Sequence, residues 1–157
     1  MENINFKKRN TIKQIEESND LAPKFDERGL ITVVTTDYLS GEVLMQGYMN
    51  EEALKKTIGL GEAVYYSRSR KTIWHKGKIS GLIQIIKEIR IDDDQDCIWL
   101  KVEVKGGASC HVGYRSCFYR SVPFGDNSTS TVLKFEEKEK VFDPKKVYGD
   151  TPNPTKL

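Results

Sequence analysis

The sequence predicts a single α+β domain, mainly β, with one or two helices. Runs rich in β-branched and aromatic residues recur between residues 30 and 104, separated by turn-forming residues. Only one stretch within that span, about 51–59, carries helix-start and helix-stop signals together. At 157 residues, 38% hydrophobic and 31% charged, the chain has the size and composition of one soluble domain able to bury a core. Residues 25–122 are read as that domain, with a peripheral segment 1–24 before it. The extension 123–157 is read as partly strand and then an irregular tail.

In chain order, Thr11 and Gln14 have capping-box spacing and Ile12 and Ile15 are placed to share a face, so a short helix is expected. Phe25-Asp26-Glu27-Arg28-Gly29 reads as a turn, and Leu30 to Thr36 as a strand. Leu39-Ser40-Gly41 then turns the chain into Glu42 to Tyr48, the second arm of a hairpin. Asn50 suits an N-cap, Glu51 and Glu52 suit the positive end of a helix, and Gly59 or Gly61 can end it. Ala63 to Ser67 reads as a strand, and Trp74 to Gly81 as a loop. Leu82 to Ile91 and Cys97 to Val104 read as strands, which leaves Asp92-Asp93-Asp94-Gln95-Asp96 in a tight connection. Thr131 to Phe142 is expected to form a strand or hairpin. The tail from Asp143, with Pro144, Pro152 and Pro154, is expected to be irregular.

Charge and cysteine usage narrow the function classes. A formal net charge of +2 argues against a nucleic-acid protein that works by bulk charge. No apolar run approaches the ~20 residues of a membrane span, and the first residues lack the apolar core of a secretory signal. Three cysteines do not make a disulfide framework, so a reducing, cytoplasmic setting with thiols free for metal is expected.

Two stretches carry the candidate chemistry. Cys110, His111 and Cys117 offer soft ligands, although the six residues between the cysteines are a looser spacing than in a zinc knuckle. With only these local donors, a zinc ion needs a ligand from elsewhere and can keep a position open for water, which it acidifies towards a pKa of ~7. Asp92, Asp94 and Asp96 share a face if the backbone is extended, and three hard carboxylates there suit magnesium beside a phosphate. The basic and hydroxyl residues Ser67, Arg68, Ser69, Arg70, Lys71, Lys76, Lys78 and Ser80 suit phosphate, or simply an exposed hairpin turn. Trp74 either stacks on a base or fills core.

Residues from about Phe25 to Arg120 resemble phosphoribosyl-AMP cyclohydrolases. The resemblance runs through Gly41-Glu42-Val43-Leu44-Met45, Tyr48-Met49-Asn50-Glu51-Glu52-Ala53-Leu54, Tyr66-Ser67-Arg68-Ser69-Arg70, Trp74-x-Lys76-Gly77, Ser80-Gly81 and the segment Cys110 to Arg120. It implies an intertwined homodimer with sites across the interface, zinc on Cys110 and Cys117 (one ion per subunit), magnesium on Asp92, Asp94 and Asp96, and His111 as acid/base. It also implies substrate contacts from Ser67, Arg68, Ser69 and Arg70, from Trp74, Lys76, Gly77 and Ser80, and from Arg115, Ser116 and Arg120. The implied reaction opens the adenine ring of a small nucleotide, phosphoribosyl-AMP, in histidine biosynthesis, with neither nucleic acid nor membrane as partner. Too few residues follow Arg120 for the pyrophosphohydrolase domain fused to many relatives, so a monofunctional form is expected.

The chain departs from the family pattern at three places. Asp93 stands where a cysteine, donated across the dimer as third zinc ligand, is usual; Cys97 lies about 13 Å further along a regular strand. Asp93 is therefore expected as a carboxylate ligand that hardens the site. Gly77-Lys78-Ile79-Ser80-Gly81 replaces a segment with an acid and a hydroxyl, and Tyr114 replaces a basic residue before Arg115. These changes keep two other readings open: a hydrolase or deaminase of another purine-like nucleotide, and a metal- or nucleotide-binding relative without catalysis.

Overall fold

The structure, a computed structural model, describes residues 4–125 and 132–157. A four-stranded sheet forms its centre, built from β1 (Ile31–Asp37), β2 (Val43–Met49), β5 (Gln84–Ile91) and β6 (Cys97–Val104). Its order is β2-β1-β6-β5, so two local antiparallel hairpins are joined by a parallel seam between β1 and β6. Along that seam Val33 pairs with Ile98 and Thr35 with Leu100. Ile31, Val33, Ile98, Leu100 and Val102 alternate inward, as a sheet with one packed face requires. Each such side chain contributes about 1.5–3 kcal/mol when fully buried.

Helix α2 (Glu51–Leu60) and the hairpin β3 (Val64–Ser67) with β4 (Thr72–His75) cover that face. Asn50 caps α2 by accepting the N–H of Ala53 at 2.8 Å, and Gly61, left-handed at φ +70°, ends it. Thr57 is buried where α2 meets β3, and its hydroxyl accepts the Val64 N–H at 3.0 Å. Trp74 and His75, expected in a loop, lie in β4 opposite Tyr65 and Val64. The aromatic and β-branched character of 72–75 outweighs the glycines that follow it.

The N-terminal segment is more than peripheral. Helix α1 (Ile12–Glu17) has its expected capping box, but only Ile15 turns inward, while Ile12 is 77% exposed. Phe6 and Phe25 meet at 6.3 Å and pack against the core. In the extension, the only strand among the described residues is β8 (Lys134–Phe135), paired with β7 (Arg120–Ser121). Thr131, where a strand was expected to begin, lies outside the described residues. The tail contains a short helix, α3 (Pro144–Tyr148), capped by Asp143, where proline at the first turn starts rather than breaks a helix.

Candidate active site

The cysteine loop folds back on itself. Ser109 and Cys110 donate their N–H groups to the carbonyls of Arg115 and Tyr114 at 2.9 and 3.2 Å, and Cys117 donates to Leu44 at 2.7 Å. The two thiols are thereby brought into hydrogen-bonding contact, Cys110 buried and Cys117 exposed. That contact pulls the Cys110 thiol down to about 6 and pushes the Cys117 thiol up, so the pair readily gives one thiolate. A thiolate, not a thiol, is what a soft cation binds.

Four interactions fix this loop. The Ser116 hydroxyl donates to the Val43 carbonyl at 2.7 Å, and Arg115 forks onto Glu42 at 2.8 and 2.7 Å. Glu137, from the extension, accepts the N–H groups of Arg115 and Ser116 at 2.9 and 3.0 Å. Lys76, buried, donates to the Ser109 carbonyl at 2.5 Å, and burial pushes its pKa down. A buried polar chain also reaches Ser109: Thr35 and Tyr65 are 2.7 Å apart, the Tyr65 hydroxyl donates to Gln84 at 2.6 Å, and Gln84 donates to the Ser109 hydroxyl at 3.2 Å. Such satisfied networks hold one geometry, because each broken member leaves an unpaired buried group. Sequence reading missed Tyr65, Gln84 and Glu137; no local pattern marks residues that act across 20 or more positions.

His111 is half-buried, and its Nε2 is buried without a hydrogen-bond partner. Burial lowers its pKa below the ordinary histidine value, which favours the neutral ring at pH 7. An orphaned imidazole nitrogen beside a thiol pair is a group waiting for a proton or a ligand.

The acidic connection supplies the hard donors. Asp92, Asp94 and Asp96 bring carboxylate oxygens within 4.8 Å of one another. They converge through the tight connection expected between the strands, without needing an extended backbone: Gln95 is left-handed at φ +59° and buried, and Asp92 accepts the N–H groups of Asp96 and Cys97 at 3.0 Å each. The neighbouring carboxyls, Asp94 first, raise Asp96 to about 6. Among the described residues this is the only group of three or more acidic, histidine or cysteine donors so placed. Asp93 is exposed and joins neither this triad nor the thiols within one chain.

The remaining residues divide. Ser67 accepts from Arg70 at the β3–β4 turn, Arg68 lies over Tyr48 at 4.2 Å, and Arg70 over Trp74 at 5.5 Å. Arg68 and Ser69 line an open cavity of about 470 Å³ with Pro154 and Lys156. Trp74 packs on Tyr65 at 5.6 Å and fills core. Gly77, at φ +88°, lies where an added Cβ would stand 2.3 Å from the Ile83 nitrogen, so its place is set by backbone packing. Ser80 accepts the Leu82 N–H at 3.2 Å, and Arg120 is exposed over Tyr119.

The donors fit the implied cations: a buried thiol prone to ionise for zinc and a converged carboxylate triad for magnesium. A small β-rich domain thus carries soft donors, Cys110 and Cys117, and hard donors, Asp92, Asp94 and Asp96, on separate loops. The family model described as phosphoribosyl-AMP cyclohydrolase matches residues 45–119. A protein of that name from Rhodopseudomonas palustris (strain HaA2) is 56% identical over 135 residues, 86% of this chain and 90% of the relative. One from Rhizobium leguminosarum bv. trifolii (strain WSM2304) is 52% identical over 136 residues, 86% of this chain and 89% of its own length. The chain belongs to the phosphoribosyl-AMP cyclohydrolase family.

Proposed function

We propose that this chain opens the adenine ring of 1-(5-phosphoribosyl)-AMP by hydrolysis of the C6–N1 bond, the third step of L-histidine biosynthesis, in the cytoplasm. The observation that carries this reading is identity above 50% with phosphoribosyl-AMP cyclohydrolases across 86% of the chain, with the family match over residues 45–119 spanning the acidic turn and the cysteine loop. When bound at Cys110 and Cys117, zinc supplies a water acidified for attack at neutral pH. The water oxygen bonds to C6 and becomes the carboxamide oxygen, the C6–N1 bond breaks, and of the two water protons one passes to N1 and the other to the exocyclic nitrogen. In this scheme His111 moves the first proton: its neutral Nε2, buried and without a partner, accepts from the water and returns the proton to the leaving nitrogen. Asp92, Asp94 and Asp96 would hold magnesium, which would supply positive charge for a substrate phosphate. Arg68, Ser69 and Arg70 meet the other phosphate, while Arg120 adds positive charge from β7.

The Ser116 hydroxyl, Lys76 and Gly77 act as supports in this scheme, because each is committed to a backbone group of the chain itself. Arg115 keeps Glu42 as its partner and presents its remaining donors at the surface. Among the described residues the thiol pair is part of no group of three or more donors, and Asp93 is free of the triad. A homodimer in which Asp93 of one subunit completes the thiol site of the other accounts for both facts. The exposed apolar residues Phe118, Val122, Phe124 and Phe135 give that assembly an apolar surface to bury.

The test is ring opening of phosphoribosyl-AMP, followed by ultraviolet absorbance, on metal-stripped protein with zinc and magnesium restored singly and together. Turnover that needs both establishes the reading. No turnover under any combination, in folded protein, overturns it in favour of another purine-like substrate or a non-catalytic role.

A further inference from the structure

The acidic turn is held only in part by its own bonds, those that Asp92 accepts from the N–H groups of Asp96 and Cys97. Three carboxylates within 4.8 Å repel one another, and the turn that gathers them needs a left-handed, non-glycine residue at Gln95. Both costs are met from the N-terminal segment. The Gln95 side chain, 4% exposed, spends both of its amide donors and one acceptor site there. Its Oε1 accepts the Ala22 N–H at 2.8 Å, and its Nε2 donates to the carbonyls of Ile15 and Asp20 at 3.0 and 3.1 Å. The Gln95 carbonyl accepts the Lys24 N–H at 2.7 Å. Arg9 adds a second tie, donating to the Ala22 carbonyl at 2.6 Å and to the Asp94 carbonyl at 2.9 Å. A residue of the acid run thus faces into the segment, while its neighbours Asp94 and Asp96 face out.

We infer that Gln95 and Arg9 are positioning residues for the carboxylate triad, and that residues 9–24 form a brace which sets divalent-cation affinity. The inference rests on the reading of Asp92, Asp94 and Asp96 as the magnesium site. With the brace in place the carboxylates are already converged, so cation binding does not have to order the turn; without it, the turn must be ordered at each binding event. Groups that orient ligands in this way are typically worth about 10–100-fold in metal affinity. Neither residue touches substrate or the reacting atoms in this scheme.

The experiment measures Mn²⁺ binding to the zinc-loaded, full-length protein by electron paramagnetic resonance of the free ion, for wild type, Gln95→Ala, Arg9→Ala and Asp94→Asn. The inference expects the Mn²⁺ dissociation constant to rise about tenfold or more in Gln95→Ala, and by a smaller factor in Arg9→Ala. Zinc content should stay unchanged, and turnover should recover when Mn²⁺ is raised to saturation. That split between activation constant and saturated rate is not produced by a general loss of folded protein. If Gln95→Ala does not fold, Arg9→Ala decides, because it leaves every Gln95 hydrogen bond intact. Unchanged affinity in the folded variants overturns the inference while Asp94→Asn weakening preserves the magnesium reading. Unchanged affinity in Asp94→Asn overturns both.

Discussion

Asp93 is exposed beside the triad yet excluded from it, and the proposed dimer gives it a role at the other subunit's thiols. Asp93→Ala should therefore lower zinc bound per subunit and turnover together, and Asp93→Cys should restore zinc with tighter retention against a chelator. Metal content by mass spectrometry checks both; a fully loaded, active Asp93→Ala would remove it from the ligand set. Asp96 makes a second prediction. Its folded pKa of about 6 lies above the ordinary 3.8, so the metal-free protein is stabilised by that proton at low pH and loses the stabilisation as pH rises through about 6. A cation must displace the same proton. Mn²⁺ affinity should accordingly fall as pH drops below about 6, and in Asp96→Asn this pH dependence should flatten, as titrations at several pH values would show. At this scale the donors Cys110, Cys117 and the three acids were legible, because their residue types fix their chemistry. The committed states of Ser116 and Lys76 were not, since a hydroxyl or amine reads the same in sequence whether it faces substrate or a backbone carbonyl.

The elements behave as the local signals dictate where those signals are strong. Asn50, Glu51, Glu52 and Gly61 mark α2, and the structure ends the helix at the second of the two candidate glycines. The miss at Trp74 and His75 has a physical cause. Loop reading followed Gly77 and Gly81, but the strand forms from pairing with β3, a contact of which a single window holds no record. Gly77 belongs to this scale because it seats the turn after β4 against the start of β5. Gly77→Ala places a Cβ 2.3 Å from the Ile83 nitrogen at φ +88°, and should cost about 2–4 kcal/mol in urea unfolding. Gly41→Ala is the control. It has a similar φ of +76° but open space around it, so its cost should be the backbone term alone, about 1 kcal/mol.

For the whole molecule, a site shared as proposed would have a stoichiometric signature. Cys110→Ser and Asp93→Ala homodimers should each be nearly inactive. When unfolded together and refolded, they should form heterodimers with one intact site out of two and regain about a quarter of wild-type turnover. No recovery on mixing, with subunit exchange confirmed, would place each site within one chain. The proposal of a homodimer comes from family resemblance alone. Composition and periodicity describe one chain's core, and the exposed Phe118, Phe124 and Phe135 look like ordinary surface exceptions until a site short of a ligand gives them a purpose.

The parallel seam at the centre of the sheet carries a consequence for how the chain reaches this state. Each hairpin, β1–β2 and β5–β6, closes over a short connection and can form within microseconds. The seam cannot: Val33 and Ile98 meet only after the 64 residues between them have been threaded into place. Folding should then be two quick local collapses followed by one slow docking. During that delay each hairpin presents an unpaired inner edge to any other chain nearby. If newly made chains pair as proposed, the same interval is when correct partnership and aggregation compete, and a lower expression temperature, which slows synthesis and weakens apolar association together, becomes the practical control over which one wins.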